Sequence, residues 1–265
     1  MTTALKYKLD LKAPHTVYRN AEGRRLPGVT TILGVLDKPP LLEWAAREER
    51  DYIRKRLMLV SPAFNFDLAT ANSAMNEIMR DLSAEPYAYT VKRESAANVG
   101  TVAHARIHAY LRDTELDPQG LPTETVEKSL PGYHRWLDWW QAEQMKCVAT
   151  ELAMVSEAMQ VGGTLDIVAD SEHGLTLADV KTTKRPDPRY WPYHEMVGQV
   201  AAYRAIWDEL HPERHIARAC ICRVGKETDD PGDVTWLNVG QMAAGDALFR
   251  AALAAYRAKQ TITRA

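Results

Sequence analysis

Two aspartates and a lysine lie in a segment whose pattern predicts a β-hairpin. Residues 163–170 and 175–182 are apolar runs separated by a turn-like segment. If the two strands pair symmetrically about that turn, Asp166 lies opposite Asp179, with Cβ atoms about 4.5–5.5 Å apart. Lys181 comes two residues after Asp179, so we expect it on the same face of the sheet. The sequence therefore predicts two carboxylates and one ammonium group at one place.

This arrangement predicts a site for a divalent cation. Charged groups in a strand that is apolar on both faces are costly unless they are compensated. Two facing carboxylates repel each other unless a proton or a cation lies between them. Oxygen ligands favour Mg²⁺ or Mn²⁺, and such an ion polarises a phosphoryl oxygen and activates water. Lys181 would orient the water or offset transition-state charge. The alternative is an exposed hairpin end with a surface Asp–Lys pair of little energetic consequence.

The rest of the chain predicts helices first and a sheet afterwards. The first forty residues resemble short extended pieces, including the β-branched run at 29–33. Gly100 is expected to weaken or break one helix, and Pro131 to kink or break the next. Helices are predicted at residues 41–60, 63–82, about 89–112, from 123 onward, 195–210 and 241–259, and strands at 149–156, 163–170, 175–182, 216–224 and 234–239. This order predicts an α/β (α+β) fold with an N-terminal helical layer.

Composition excludes several classes of protein. The chain has 33 Lys and Arg against 35 Asp and Glu, a net charge of −2, so no global charge attracts it to nucleic acid or to a membrane. No run of about 18 apolar residues occurs, and the first residues lack the apolar core of a signal peptide. Three cysteines without a CxxC pair argue against a disulfide framework and a four-thiolate cluster. We therefore expect a cytoplasmic protein without a membrane partner.

Five motifs follow one another along the chain. They are GxxxH ending at His104, an acidic strand residue at Glu151, GxxD ending at Asp166, DxKT with Asp179 and Lys181, and QxxxY from Gln199 to Tyr203. Together and in this order, they resemble the motifs of the PD-(D/E)XK nuclease superfamily, specifically its RecB-like branch and the phage-type exonucleases. Residues 26–33 and 42–45 are also similar to the N-terminal region of phage-type members.

The resemblance implies a fold, an activity and a set of ligands. The fold would be a restriction-endonuclease-like mixed central sheet flanked by helices, in one domain spanning 1–265. Within it, residues 1–147 would form a mainly helical part that carries His104, and residues 148–265 the catalytic sheet core. The activity would be metal-dependent DNA exonuclease cleavage in phage or bacterial recombination or repair. The substrate would be a single strand or a duplex end, and a recombinase or a second copy of the chain would be further partners. The metal ligands would be His104, Asp166, Asp179 and the Val180 carbonyl, with Lys181 as the catalytic lysine.

Three further residues have both a functional and an ordinary interpretation. Glu151 is either an edge-strand charge or an inward carboxylate that binds a second ion or positions water. Gln199 and Tyr203 are spaced i, i+4 on one helix face. They would form an ordinary polar contact, or Gln199 would contact Lys181 or a substrate phosphate. Trp136 and Trp140 have helical spacing and are expected in the core.

Basic and aromatic residues follow the hairpin and predict contacts with nucleic acid. Lys184, Arg185 and Arg189 are candidates for phosphate contacts. Tyr190 and Trp191 are candidates for stacking on bases. All five lie in one proline-containing stretch directly after the DxKT motif.

Two other functions remain as alternatives. One is a nuclease-fold protein that binds DNA, or assembles a recombination complex, without cutting. The intact set of two acids and a lysine argues against it. The other is a zinc hydrolase that uses His104 and His108, although Ala105 stands where a zinc protease needs a glutamate.

Overall fold

The computed structural model describes residues 6–9, 16–36, 39–60, 68–183, 191–225, 229–230 and 232–264. The chain divides into two compact units. The larger unit comprises Met1–Leu36 and Asn98–Ala265, and the smaller unit comprises Asp37–Ala97. That the whole chain is one nuclease domain stays a prediction. No helix among the described residues has the length and apolar character needed to cross a bilayer.

The larger unit is built on a five-stranded mixed sheet. Its strands are β3 (Lys146–Ser156), β4 (Val161–Asp170), β5 (Thr176–Thr182), β6 (Arg218–Val224) and β7 (Asp233–Leu237), in the order β3-β4-β5-β6-β7. Only β5 and β6 pair in parallel, and the other neighbours are antiparallel. A separate parallel pair joins β1 (Lys6–Lys8) to β2 (Glu115–Asp117). The predicted mixed α/β fold class is confirmed.

Helices cover both faces of this sheet. They are α1 (Val29–Leu33), α4 (Ala88–Leu111), α5 (Thr123–Ala142), α6 (His194–Leu210) and α7 (Val239–Arg264). One core cluster joins α4 and α5 to the sheet and contains Trp136 and Trp140, which are 2% and 5% exposed. A second cluster joins α1, α6 and α7 to the sheet. Because both faces are covered, β4 and β5 are apolar along most of their length. The predicted core position of the two tryptophans is confirmed.

The smaller unit is helical. It contains α2 (Pro39–Val60), α3 (Leu68–Ala84) and the first part of α4. Arg56 on α2 forms an ion pair of 2.6 Å with Asp81 on α3. The rings of Trp44 and Tyr89 meet edge to face, with centroids 6.5 Å apart. The start of the predicted helix at residue 63 lies outside the described residues.

The expectation of an extended segment at residues 29–33 is wrong, because this segment is helix α1. Val29, Ile32 and Leu33 are spaced i, i+3 and i+4, and all three are buried in the core. A helix puts these three side chains on one face, whereas a strand would separate them. Tertiary packing therefore outweighs the β-propensity of the run.

The expected breaks at Gly100 and Pro131 do not occur, since α4 and α5 run through them. Each site instead marks a close approach to the sheet. A Cβ on Gly100 would lie 3.2 Å from the Cβ of Thr182. A Cβ on Gly132 would lie 2.2 Å from Cγ1 of Val224. The missing side chains let both helices pack tightly against strand ends, which outweighs the low helix propensity of glycine.

Candidate active site

The hairpin of β4 and β5 has the predicted register. Ile167 pairs with Ala178 and Val168 with Leu177, so paired positions sum to 345 as they do for Asp166 and Asp179. One step beyond this ladder, the Asp166 carboxylate accepts the N–H of Val180 at 2.7 Å through Oδ2. The Asp166 side chain thus takes the place of a backbone partner for the Val180 amide where the ladder between β4 and β5 ends.

Asp179 is buried in an ion pair with Lys181. It is 1% exposed, and its Oδ2 lies 2.6 Å from the Lys181 Nζ. Its Oδ1 is buried without a hydrogen-bond partner among the described residues. Burial raises the pKa of Asp179 to about 6, Asp166 adds to this effect, and Lys181 opposes it. Burial also raises the pKa of Asp166, against the effects of Lys181 and the Val180 amide. The protein alone therefore leaves the negative charge of this pair undercompensated.

The lysine remains protonated in this environment. Burial would lower the pKa of Lys181, but the nearby Asp179 and Asp166 outweigh it, so its pKa is raised. The side chain is 22% exposed, whereas that of Asp179 is 1% exposed. The ammonium group is thus held by the carboxylates and remains accessible to a bound substrate.

Helix α4 presents two histidines one turn apart. The rings of His104 and His108 have centroids 6.1 Å apart. Burial lowers the pKa of His104 to about 4, and the charges of His108 and Lys181 lower it further. His104 is therefore a neutral imidazole at pH 7, which is the form that binds a metal ion. Gly100, one turn earlier, allows this stretch of α4 to pack against β5.

Glu151 points into the site, towards His108. Its Oε1 lies 2.8 Å from the His108 Nε2, and the hydrogen bond with His108 lowers the pKa of Glu151. The other ring nitrogen of His108 contacts the hydroxyl of Thr150. Glu151 has a φ of +50° on the edge strand β3, a left-handed conformation that costs energy for a non-glycine residue. Such strain is common where a side chain has to be aimed at a functional site.

Four side chains offer ligand atoms to one point. Atoms of His104, His108, Glu151 and Asp166 all lie within 4.8 Å of one another. The structure thus joins two predicted ligands, His104 and Asp166, to Glu151 and to a histidine that sequence reasoning placed only in the zinc alternative. The signal for His108 was its i, i+4 spacing from His104. Two imidazoles and two carboxylates suit a divalent transition-metal ion as well as Mg²⁺.

The residues of the QxxxY motif lie against the same part of the sheet. Gln199 Nε2 donates to the Tyr203 hydroxyl at 2.8 Å. Burial raises the pKa of Tyr203, and Asp179 and Asp166 raise it further, so the phenol stays neutral beside the carboxylates. A Cβ on Gly163 would lie 2.5 Å from the Tyr203 ring, so the glycine makes room for it.

The family follows from comparison with known proteins. A family model described as the PD-(D/E)XK nuclease superfamily matches residues 74–262. The chain belongs to this superfamily. The matched region includes α4 with its histidines, the hairpin with its two aspartates and lysine, and α6. It is therefore a nuclease-family chain, and the predicted family and fold are confirmed.

Two further comparisons add little to this assignment. No curated protein matches the chain. One solved structure, a protein from Eubacterium rectale provisionally described as an exonuclease, is similar at 12% identity and a TM-score of 0.41. The match covers 57% of this chain and spans 63% of that protein.

Of the five residues predicted to contact nucleic acid, only Trp191 is among the described residues. Lys184, Arg185, Arg189 and Tyr190 lie outside the described residues. Trp191 is described, and its indole N–H donates to the Thr235 hydroxyl at 2.8 Å while its ring packs against the core. That these residues contact nucleic acid stays a prediction.

Proposed function

We propose that this nuclease is a Mg²⁺- or Mn²⁺-dependent deoxyribonuclease that degrades DNA from its ends. One observation carries the metal-dependent activity: Asp166, Asp179 and Lys181 converge on the hairpin, with His104 and Glu151 beside them. The preference for ends rests on the resemblance of the GxxxH, GxxD, DxKT and QxxxY motifs to RecB-like and phage-type exonucleases. A role in phage or bacterial recombination or repair has the same basis, as do a recombinase or second-copy partner and a cytoplasmic location.

The donor groups fit a divalent ion. His104, Asp166, Asp179 and the Val180 carbonyl would hold it, and Glu151 and His108 extend the set of donors. The buried Oδ1 of Asp179 lacks a hydrogen-bond partner among the described residues, and coordination to a cation would compensate its charge. The raised pKa values of both aspartates have the same cause, an uncompensated negative charge. A divalent ion bound there polarises the phosphodiester and lowers the pKa of a water molecule.

Side chains of the chain itself supply the remaining steps. The protonated Lys181 donates hydrogen bonds to the phosphoryl oxygens as their negative charge grows in the transition state. The Glu151 carboxylate accepts a hydrogen bond from the attacking water. The Gln199–Tyr203 pair donates to the phosphate from the side of α6. Each group is held before the substrate arrives, so little reorganisation is needed during the reaction.

Cleavage of end-labelled linear DNA tests the assignment. We expect Lys181→Met and Asp179→Asn to lower the rate by at least about 100-fold, because each removes charge stabilisation at the reacting phosphate. Lys146→Met and Asp170→Asn are the matched controls, because both residues are exposed on the same sheet. Unchanged cleavage in both site variants would refute the assigned centre. Cleavage absent from the wild type, with DNA still bound, would support the non-cutting alternative.

Circular DNA tests the preference for ends separately. An exonuclease degrades linear single-stranded or duplex DNA and leaves closed circles intact. Equal cleavage of linear and circular substrates would contradict exonuclease action while leaving the metal-dependent centre in place.

The two imidazoles predict a preference among metal ions. Nitrogen ligands bind Mn²⁺ better than Mg²⁺, so we expect faster cleavage with Mn²⁺ at equal subsaturating concentrations. His108→Asn should reduce the ratio of the Mn²⁺ rate to the Mg²⁺ rate. An unchanged ratio would show that His108 is not a ligand. Tightly bound zinc, with no response to either added ion, would instead favour the zinc-hydrolase alternative.

A further inference from the structure

A concave surface of the larger unit, which we call the arginine groove, lies outside the centre described above. Its volume is about 1230 Å³. It is lined by the N-terminal segment 16–31, the β3–β4 turn with the start of β4, and the last turns of α7. Among the described lining residues are Arg24, Arg25 and Arg257, but no aspartate or glutamate. The groove therefore carries three positive charges in a protein whose net charge is −2.

Two of these arginines are held in place by the turn between β3 and β4. Arg24 Nη2 donates to Gln160 Oε1 at 2.5 Å. Arg257 Nη2 donates to the Met159 carbonyl at 2.7 Å. A guanidinium has five N–H donors, so one such bond leaves donors for an anion. All three arginines are exposed to solvent. Cations oriented in this way recognise phosphate with little loss of side-chain entropy.

The groove ends beside the metal-ligand cluster. Thr164 lines the groove and precedes Asp166 by two residues on β4, so both side chains lie on the same side of the strand, about 7 Å apart along it. The Tyr18 hydroxyl is 2.9 Å from Thr164 Oγ1. The Tyr18 ring lies over Gly162, where a Cβ would be 2.1 Å from the ring. The N-terminal segment is thus fastened to β4 next to the centre.

We propose that the arginine groove binds the phosphates of the DNA strand that enters the centre at Asp166, with Arg24, Arg25 and Arg257 as the phosphate contacts. This inference rests on the proposed function. The rings of Tyr18 and Tyr256 also line the groove. A basic groove with aromatic side chains is typical of sites for single-stranded nucleic acid, so the strand is single where it crosses the groove.

The salt dependence of binding tests the groove. Binding of a fluorescein-labelled single-stranded oligonucleotide is measured by anisotropy in EDTA, so that no cleavage occurs. The test variant is Arg24→Gln/Arg25→Gln/Arg257→Gln. Each phosphate contact on a single strand contributes about 0.7 to the slope of log K against log salt, so losing three lowers the slope by about 2. Between 50 and 200 mM salt, the wild type should then lose about 20-fold more affinity than the variant.

A matched triple variant separates the groove from overall charge. Arg135→Gln/Arg214→Gln/Lys259→Gln removes the same charge from exposed residues outside the groove. Its slope should stay close to that of the wild type. If the slope falls equally in both triple variants, the proposal is overturned. A wild type that does not bind the oligonucleotide would overturn it as well. If the groove variant does not fold, Arg25→Gln alone should still lower the slope by about 0.7, and an unchanged slope there would overturn the proposal.

Cleavage by the same proteins distinguishes this inference from the proposed function. In Mn²⁺, the groove variant should show a raised KM for single-stranded DNA. If the wild type cleaves DNA but the groove variant keeps the wild-type slope and KM, the groove assignment is wrong and the proposed function stands. If the wild type does not cleave but its slope depends on the three arginines, the proposed function is wrong and the groove stands.

Discussion

Replacing Asp179 by asparagine should stabilise the metal-free protein, although it removes activity. Burial raises the pKa of Asp179 to about 6 from its ordinary value of 3.8. Because the folded state then holds the proton more tightly than the unfolded state, ionising the carboxylate destabilises the fold, increasingly between pH 3.8 and pH 6 and by a constant amount above pH 6. The pKa difference between 6 and 3.8, at about 1.36 kcal/mol per pKa unit, means that the ionised carboxylate lowers the free energy of unfolding by about 3 kcal/mol at pH 8. At pH 4.5, where the folded protein is mostly protonated at this site, the same relation gives a destabilisation of only about 1 kcal/mol.

Urea unfolding in EDTA, followed by circular dichroism at pH 8 and pH 4.5, measures this gain. Asp170→Asn is the matched control, since Asp170 is an exposed aspartate at the end of the neighbouring strand β4. We expect Asp179→Asn to be more stable than this control at pH 8, and the gain to shrink at pH 4.5. Adding Mn²⁺ should stabilise the wild type and leave Asp179→Asn nearly unchanged. If Asp179→Asn is no more stable than the control at pH 8, the negative charge of Asp179 is already compensated in the metal-free protein.

Three other predictions concern stability. Gly132→Ala should cost about 1–3 kcal/mol, because the new Cβ would lie 2.2 Å from Val224 Cγ1; a thermal melt unchanged from the wild type would contradict the packing of α5 on β6. Arg223→Ala should lower the free energy of unfolding in urea by about 3–5 kcal/mol, because it removes the buried 2.6 Å ion pair with Asp230. A loss below about 1 kcal/mol, the range of a surface pair, would contradict a buried ion pair. Burial lowers the pKa of His104 to about 4. As the pH falls from 6.5 to 4, the free energy of unfolding of the metal-free wild type should therefore drop by about 3 kcal/mol relative to His104→Asn. Parallel profiles of unfolding free energy against pH for the two proteins would argue against a buried neutral imidazole.

The hairpin was predictable because its geometry is local. A short turn fixes the register of the two strands that flank it, so the pairing of β4 with β5 follows from counting residues. The position of Lys181 follows from the alternation of side chains along a strand. The strands and helices after residue 146 were placed within a few residues for the same reason, since their patterns are strong and their connections short.

The parts that sequence reasoning missed depend on distant contacts. Glu151 and His108 meet across 43 positions of the chain, and only the packing of α4 against the sheet brings them together. The groove joins Arg24 and Arg25 to Arg257 from opposite ends of the sequence. The helix at 29–33 is formed against the propensity of its residues, because burial of one face decides its conformation. The first two contacts leave no periodic signal in the sequence, and the i, i+3, i+4 spacing of Val29, Ile32 and Leu33 spans only five residues.

A crystal of the protein soaked in Mn²⁺ would show whether the side chains of the hairpin and α4 bind a metal ion together. We expect one anomalous peak about 2.0–2.3 Å from a ring nitrogen of His104 and from carboxylate oxygens of Asp166 and Asp179, with the Lys181 ammonium group beside it. An anomalous map with no peak among these side chains at saturating Mn²⁺, or with the two carboxylates turned away from each other, would contradict the account.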